Sequence, residues 1–325
     1  MIILKLCLAF IILITTVISC SNPANNILAN HEVKFVNGSS NNRLEVLDWG
    51  GNGKPIVFLA GLGNTAHVFD DFAPKFTDIF HVYGLTRRGF GASLQTSGGY
   101  DTKTLTNDIL AIIDSLKLNK VILIGHSIAG NEMSKFASTY PNRIEKLVYL
   151  DAAYDYASTS FGNLLANEPQ PPSLTTKDSS SVDHLKNYFE KILGVTFPND
   201  EWKQKFEFSN EGKYLKDITP GSIAGAIFNG VEHPSYSNIT SPALAIYAPQ
   251  TAANKTFPFY DKLDSIAKMR ADSLIFLFKT FSNEQQVRFK KEVLNGSVKS
   301  IINAKHAVFI SNPLETEKMI REFLK

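Results

Sequence analysis

Along most of the chain, short apolar, strand-like runs alternate with longer amphipathic stretches. Val33 to Val36 and Arg43 to Trp49 read as strands separated by the turn cluster NGSSNN. A second turn, GGNGKP, leads into a third apolar run from Ile56 to Ala60. Strand-like runs then follow at His81 to Leu85, Val121 to Ile124 and Leu147 to Leu150, interleaved with helices over about Leu105 to Leu116 and Ile128 to Ser138. Such alternation predicts parallel crossovers and a sheet covered by helices on both faces. It stops between about 154 and 240, where EPQPPS, the polar run TTKDSSS and several helical-looking, aromatic-rich pieces predict an insertion. It resumes with a strand from Ala243 to Tyr247, helical patterns over 258 to 293, a strand from Val298 to Ile302 and a last helix from Leu314 to Leu324.

Composition narrows the class of partner. The chain has 325 residues, 44% hydrophobic, enough for a large core. Its 33 Lys+Arg against 31 Asp+Glu leave a formal charge of +2, so no basic face for phosphate backbones is expected and nucleic acid is excluded as a partner. No internal repeat argues for a solenoid or propeller. The GNGK turn is not a phosphate loop, because that pattern needs Gly at 48 and Ser or Thr at 55, where Asp48 and Pro55 stand. No metal cluster or cofactor motif is found, so neither metal nor cofactor is expected.

The first twenty residues, MIILKLCLAFIILITTVISC, have the anatomy of a targeting segment: Lys5, an apolar stretch, then small residues before Cys20. The apolar run is shorter than the roughly 20 residues a spanning helix needs. Val17-Ile18-Ser19-Cys20 resembles the lipobox of bacterial lipoproteins, which implies cleavage before Cys20 and a lipid on that cysteine. Membrane association is then expected through that lipid alone, at the bacterial cell envelope. Cys7 and Cys20 are the chain's two cysteines, so residues 21 to 325 contain no thiol for a disulfide. The expected organisation is a leader over 1–19, a tether over 20–30 (SNPANNILAN following Cys20) and one domain over 31–325.

The sharpest chemical signal is VILIGHSIAG at 121 to 130, a buried-type strand followed by Gly125-His126-Ser127-Ile128-Ala129-Gly130 and then a helix. It resembles the nucleophile elbow of the α/β-hydrolase family, in which a strained strand-to-helix turn presents the serine and requires small neighbours. Ala129 replaces the second glycine of that pattern, and Gly130 follows at once. Ala60-Gly61-Leu62-Gly63-Asn64 resembles the oxyanion loop of the same family with Ala60 in place of the usual His. Arg88-Gly89-Phe90-Gly91-Ala92-Ser93 resembles its R-G-x-G-x-S loop. The resemblance implies an α/β fold with a mostly parallel sheet and a helical cap formed by the insertion. It also implies Ser127 as nucleophile and the amides of Leu62 and Ile128 as the oxyanion hole.

Among seven histidines, only His306 occupies the loop between the last strand and the last helix, where the family places its base. His126 is expected to line or support the pocket, and His184 and His233 are candidates for substrate contact. His67 is assigned to the helix entered from the oxyanion loop; His31 and His81 have no evident catalytic logic. The family's usual seat for the acid, after the seventh strand, reads Ala248 to Lys255 without a carboxylate. Asp151, at the end of the sixth strand, is the expected substitute, and Asp261 is the runner-up.

These features predict a serine hydrolase that cleaves an ester or related acyl bond of a small molecule through an acyl-enzyme, without a cofactor. The twelve aromatic residues between Tyr154 and Thr240 suggest an apolar cap and a substrate with an apolar portion, although aromatics at helical spacing also pack small cores. Amide cleavage, acyl transfer and cofactor-free peroxidation would use the same residues. A lipid-anchored binding protein on a dead hydrolase fold is the reading from another class.

Overall fold

The computed structural model describes residues 31–325. The expected leader, Cys20 and the expected tether lie outside the described residues. In chain order the elements are β1 (Glu32–Asn37), β2 (Arg43–Gly50), β3 (Lys54–Leu59), β4 (Phe80–Leu85), α1 (Thr102–Ser115), β5 (Val121–His126), α2 (Ala129–Thr139) and β6 (Ile144–Leu150). The insertion then contributes α3 (Thr159–Ala166), α4 (Val182–Leu193), α5 (Asn199–Lys205), β7 (Phe206–Phe208), β8 (Tyr214–Asp217) and α6 (Gly221–Asn229). The chain returns through β9 (Ala243–Tyr247), α7 (Ala253–Thr256), α8 (Ser265–Glu292), β10 (Gly296–Ser300), α9 (Val308–Ser311) and α10 (Pro313–Leu324).

Eight strands form one sheet in the order β1-β2-β4-β3-β5-β6-β9-β10. β2 pairs antiparallel with both β1 and β4, and every pairing from β4 to β10 is parallel. Parallel strands need helical crossovers, and those crossovers cover both faces. β5 shows the result residue by residue. Val121 and Leu123 pack with Ile109 of α1, Phe136 of α2 and Phe289 of α8, whereas Ile122 and Ile124 pack with Phe58, Phe69, Phe309 and Ile320 on the opposite face. A strand buried on both sides reads as a continuous apolar run, which is why VILI carried no two-residue alternation.

Local chemistry sets the helix starts. The Asp101 side chain accepts the Thr104 amide at the head of α1, and Asp264 accepts the Ala267 amide at the head of α8. The latter cap delays α8 to Ser265, seven residues after the start expected from apolar periodicity, and residues 260–262 form a separate single turn. The last strand also ends two residues earlier than expected, at Ser300. The insertion holds the antiparallel hairpin β7–β8 besides its four helices. Three- and four-residue strands such as FEF and YLKD are too short to reveal their period.

Candidate active site

At the end of β5 the backbone of Ser127 adopts φ +54°, left-handed and unusual for a residue with a Cβ, before α2 starts at Ala129. The Ser127 amide is fixed by the Leu150 carbonyl, 3.2 Å away. Crowding explains the glycine placement. A Cβ at Gly130 would run into the Ala152 carbonyl oxygen, whereas Ala129 fits fully buried. The close approach demanded by this turn therefore falls on Gly130.

The loop after β3 lies against this elbow: a Cβ added to Gly61 would come within 3.1 Å of the Ser127 Cβ and 2.7 Å of His126 Nδ1. Arg87 fixes the loop from behind, donating from Nη2 to the Ala60 carbonyl at 2.9 Å and from Nε to the buried Glu132 carboxylate at 2.6 Å. On its far side the loop is clasped by Glu201 of α5. This fully buried carboxylate accepts from Asn64 Nδ2 at 2.8 Å, from the Thr65 amide and from the Thr65 hydroxyl. Burial pushes the Glu201 pKa up, and Lys205, Thr65 and Asn64 reverse only part of that shift.

His306 and Asp151 meet across the carboxyl edge of the sheet. His306 Nδ1 donates to Asp151 Oδ2 at 2.7 Å, leaving Nε2 as the free ring nitrogen. Asp151 is itself left-handed, at φ +45°, and buried. Its Oδ1 accepts the Tyr154 hydroxyl at 2.6 Å and the Ala248 amide at 3.1 Å. Desolvation works against the Asp151 charge, but the His306 contact, Tyr154 and the Ala248 amide overturn it and hold the carboxyl below its ordinary range. Desolvation likewise opposes protonation of His306. The Asp151 hydrogen bond and charge, together with Glu168, outweigh it and raise the imidazole above its usual value.

Two further groups secure this pair. The His126 ring is buried, and its Nε2 donates to the His306 carbonyl at 3.1 Å. Desolvation and the neighbouring His306 push His126 down to about 3, so it is a neutral brace for the His306 loop. Gln250 spans the gap from β9, donating from Nε2 to both the Ala248 and Ala304 carbonyls. Tyr156 lies beside Ser127 and donates to the Ala152 carbonyl at 3.2 Å.

Of the residues expected at the site, His306 and Asp151 meet directly, and Ser127 directly follows His126, whose ring holds the His306 carbonyl; Leu62 and Ile128 lie on the two segments that flank Ser127. Asp261 is exposed on the single turn before α8 and does not meet His306. His184 contacts Ser180, and His233 pairs with Asp155, so neither joins the site. Arg88 binds Asp108 through two 2.6 Å contacts and orders its loop, apart from Ser127. Arg87, Glu132, Glu201, Tyr154, Tyr156 and Gln250 are the contributors that sequence reasoning missed. Arg87, one position before the R-G-x-G-x-S pattern, had a usable signal; Glu201 had none.

Comparison with known proteins agrees with this architecture. Residues 54–211 match the family described as alpha/beta hydrolase fold. The 2-(acetamidomethylene)succinate hydrolase of Mesorhizobium japonicum is 28% identical over 205 residues, 60% of this chain and 70% of that protein. Human serine hydrolase-like protein 2 is 31% identical over 154 residues, 45% of this chain and 49% of that protein. Across such curated relatives the match spans from 37% to 70% of their own length. The crystal structure of E-2-(acetamidomethylene)succinate hydrolase superposes with a TM-score of 0.64 at 19% identity, over 90% of this chain and 99% of the other. The chain has the α/β-hydrolase fold.

Proposed function

We propose that this α/β-hydrolase-fold chain is a serine hydrolase that cleaves an ester or related acyl bond through an acyl-enzyme. The observation that carries the reading is the pairing of His306 Nδ1 at 2.7 Å with the buried, ionised Asp151, together with the strained strand-to-helix turn that presents Ser127. With Nδ1–H committed to Asp151, the free Nε2 is the nitrogen that takes the Ser127 hydroxyl proton as Oγ attacks the acyl carbon. Negative charge then grows on the former carbonyl oxygen, where the Leu62 and Ile128 amides act as fixed donors. His306 returns the proton to the leaving group, the bond to it breaks, and the acyl group stays on Ser127. Water, deprotonated by His306, attacks the acyl-enzyme in the reverse sequence and releases the acid.

A fluorophosphonate probe should label the wild-type protein once per chain, at Ser127, and the Ser127→Ala protein not at all. Acyl esters and N-acyl amides of graded chain length, assayed on the same preparations, identify the bond and the acyl size. A wild-type chain that neither labels nor turns over any of these compounds would leave the fold as a binding scaffold.

The place of action is a separate proposal. The lipobox-like end of the leader assigns a lipid to Cys20 and the bacterial envelope to the domain. Cells fed labelled fatty acid should incorporate it into the wild-type chain and not into the Cys20→Ser chain; an unlabelled wild-type chain refutes the anchor.

A further inference from the structure

Away from Ser127, three segments bring an unusual set of buried groups together at the start of the domain. His31 precedes β1, Glu45 and Trp49 belong to β2, His67 lies in the single turn at 66–69 that follows the oxyanion loop, and Asp70 caps that turn. The donor atoms of His31, His67 and Asp70 all lie within 4.8 Å of one another. His31 Nδ1 is 2.8 Å from Asp70 Oδ1, and His67 Nδ1 is 3.3 Å from Asp70 Oδ2. The side chains of His31 and His67 are only 2% and 4% exposed, whereas Asp70 reaches 14% and gives the cluster its opening to solvent.

We infer that His31, His67 and Asp70 form a binding site for a divalent zinc-class cation, with Glu45 and Trp49 as the groups that orient its ligands. Two imidazole nitrogens and one carboxylate oxygen are a donor set suited to zinc and poorly suited to calcium or magnesium, which prefer all-oxygen shells. Tetrahedral zinc with bonds of about 2 Å separates neighbouring ligand atoms by about 3.3 Å. The 3.3 Å between His67 Nδ1 and Asp70 Oδ2 matches that spacing, while His31 Nδ1 stands at 2.8 Å from the other carboxylate oxygen and would move apart from it by about half an ångström on binding.

The surroundings point the same way. Metal-bound histidines generally give their second N–H to a carboxylate. Here His67 Nε2 faces Glu45 Oε1 at 3.4 Å, and the Thr86 hydroxyl fixes the other Glu45 oxygen at 2.6 Å. Asp70 Oδ1 is in turn held by Trp49 Nε1 at 3.1 Å. The carboxylates of Asp70 and Glu45 lie on either side of His67, and a dication there would balance both negative charges with both imidazoles neutral. Such an ion would tie the residue that leads into β1 to the turn after the oxyanion loop, a cross-link for a domain whose residues 31–325 contain no cysteine.

The test uses the full chain, purified in detergent, stripped with a chelator and titrated with zinc chloride. One equivalent should bind. Zinc at a hundredfold excess over its Kd should raise Tm by about 5 °C, whereas calcium and magnesium should leave it unchanged. Glu45→Gln should weaken zinc binding about 10- to 100-fold, and His67→Gln or Asp70→Asn by more. Should those variants fail to fold, cobalt(II) added to the wild-type chain gives a second readout. Intense visible absorption from tetrahedral coordination, abolished by competing zinc, is expected. Absence of stoichiometric binding, a zinc shell without two nitrogens by X-ray absorption, or unaltered affinity in a folded His67→Gln chain would each overturn the site and leave a proton-sharing ion network.

Discussion

The carboxyl edge of the sheet and the insertion above it are held by different physics. At the edge, buried charge meets a matched partner: Asp151 accepts three donors, Arg87 grips Glu132, and Arg88 makes two short contacts to Asp108. The insertion relies on an aromatic cluster instead, with Trp202 packed against Phe189, Phe197 and Phe206, and Tyr214 closing over Phe206. Directional bonds fix positions to tenths of an ångström, whereas apolar contacts fix volume and tolerate sliding. Under the proposed function, the edge would hold the reacting groups and the insertion would shape what reaches them. Glu201 crosses this division, since it is an insertion carboxylate bound to the oxyanion loop.

The largest effect should come from the edge. Asp151→Asn keeps the shape of the side chain but favours the wrong tautomer of His306, and in an analogous geometry that exchange costs about 10⁴ in turnover. A fall of similar order in kcat is expected, with circular dichroism unchanged, while the exposed Asp261→Asn should match wild type. If Asp151→Asn kept near-normal turnover, the edge would not be the seat of chemistry and the comparison would collapse.

An intermediate effect is expected where the two regions join. The donors around Glu201 are an amide side chain, a backbone N–H and a hydroxyl, and Glu201→Gln would turn an NH₂ toward one of them. Leaving a buried donor unpaired costs about 1–3 kcal/mol. Because that cost falls on Asn64 and Thr65, next to Leu62, kcat should drop by roughly 10-fold, more than KM rises. A purely structural role would instead lower Tm and leave the kinetic constants of the folded fraction intact.

The same division explains what could be read in the sequence. VILIGHSIAG exposed the elbow because its glycines and its apolar strand are local requirements, and His306 followed from its place between the last strand and the last helix. Asp151 was reached through an absence, the lack of a carboxylate after β9. The fold then puts the Ala248 amide of that segment to use as a donor to Asp151. Glu201 was illegible: its partners stand 136 and 137 residues away, and no local pattern distinguishes a clasping glutamate from a solvated one. The hairpin β7–β8 and the capped start of α8 were missed for a related reason, since tertiary pairing in one case and a single aspartate in the other outweigh weak periodicity.

The smallest expected effect probes whether the insertion also tunes the edge electrically. Glu168, just past α3, is the one insertion group whose charge raises His306, adding to the larger contribution of Asp151 against the opposing effect of burial. His306 acts as a base only when neutral, so kcat/KM should rise with pH through an apparent pKa above 6.5, the imidazole's unperturbed value. His126, held down near 3, stays neutral across that limb and contributes no rival charge. Removing a negative charge makes the imidazolium easier to deprotonate, so Glu168→Gln should move the limb to lower pH. Glu168 is exposed, and screening should keep the shift to a few tenths of a pH unit, shrinking further in high salt. A kcat/KM profile that Glu168→Gln leaves in place, or moves to higher pH, would confine the insertion to shaping the cleft.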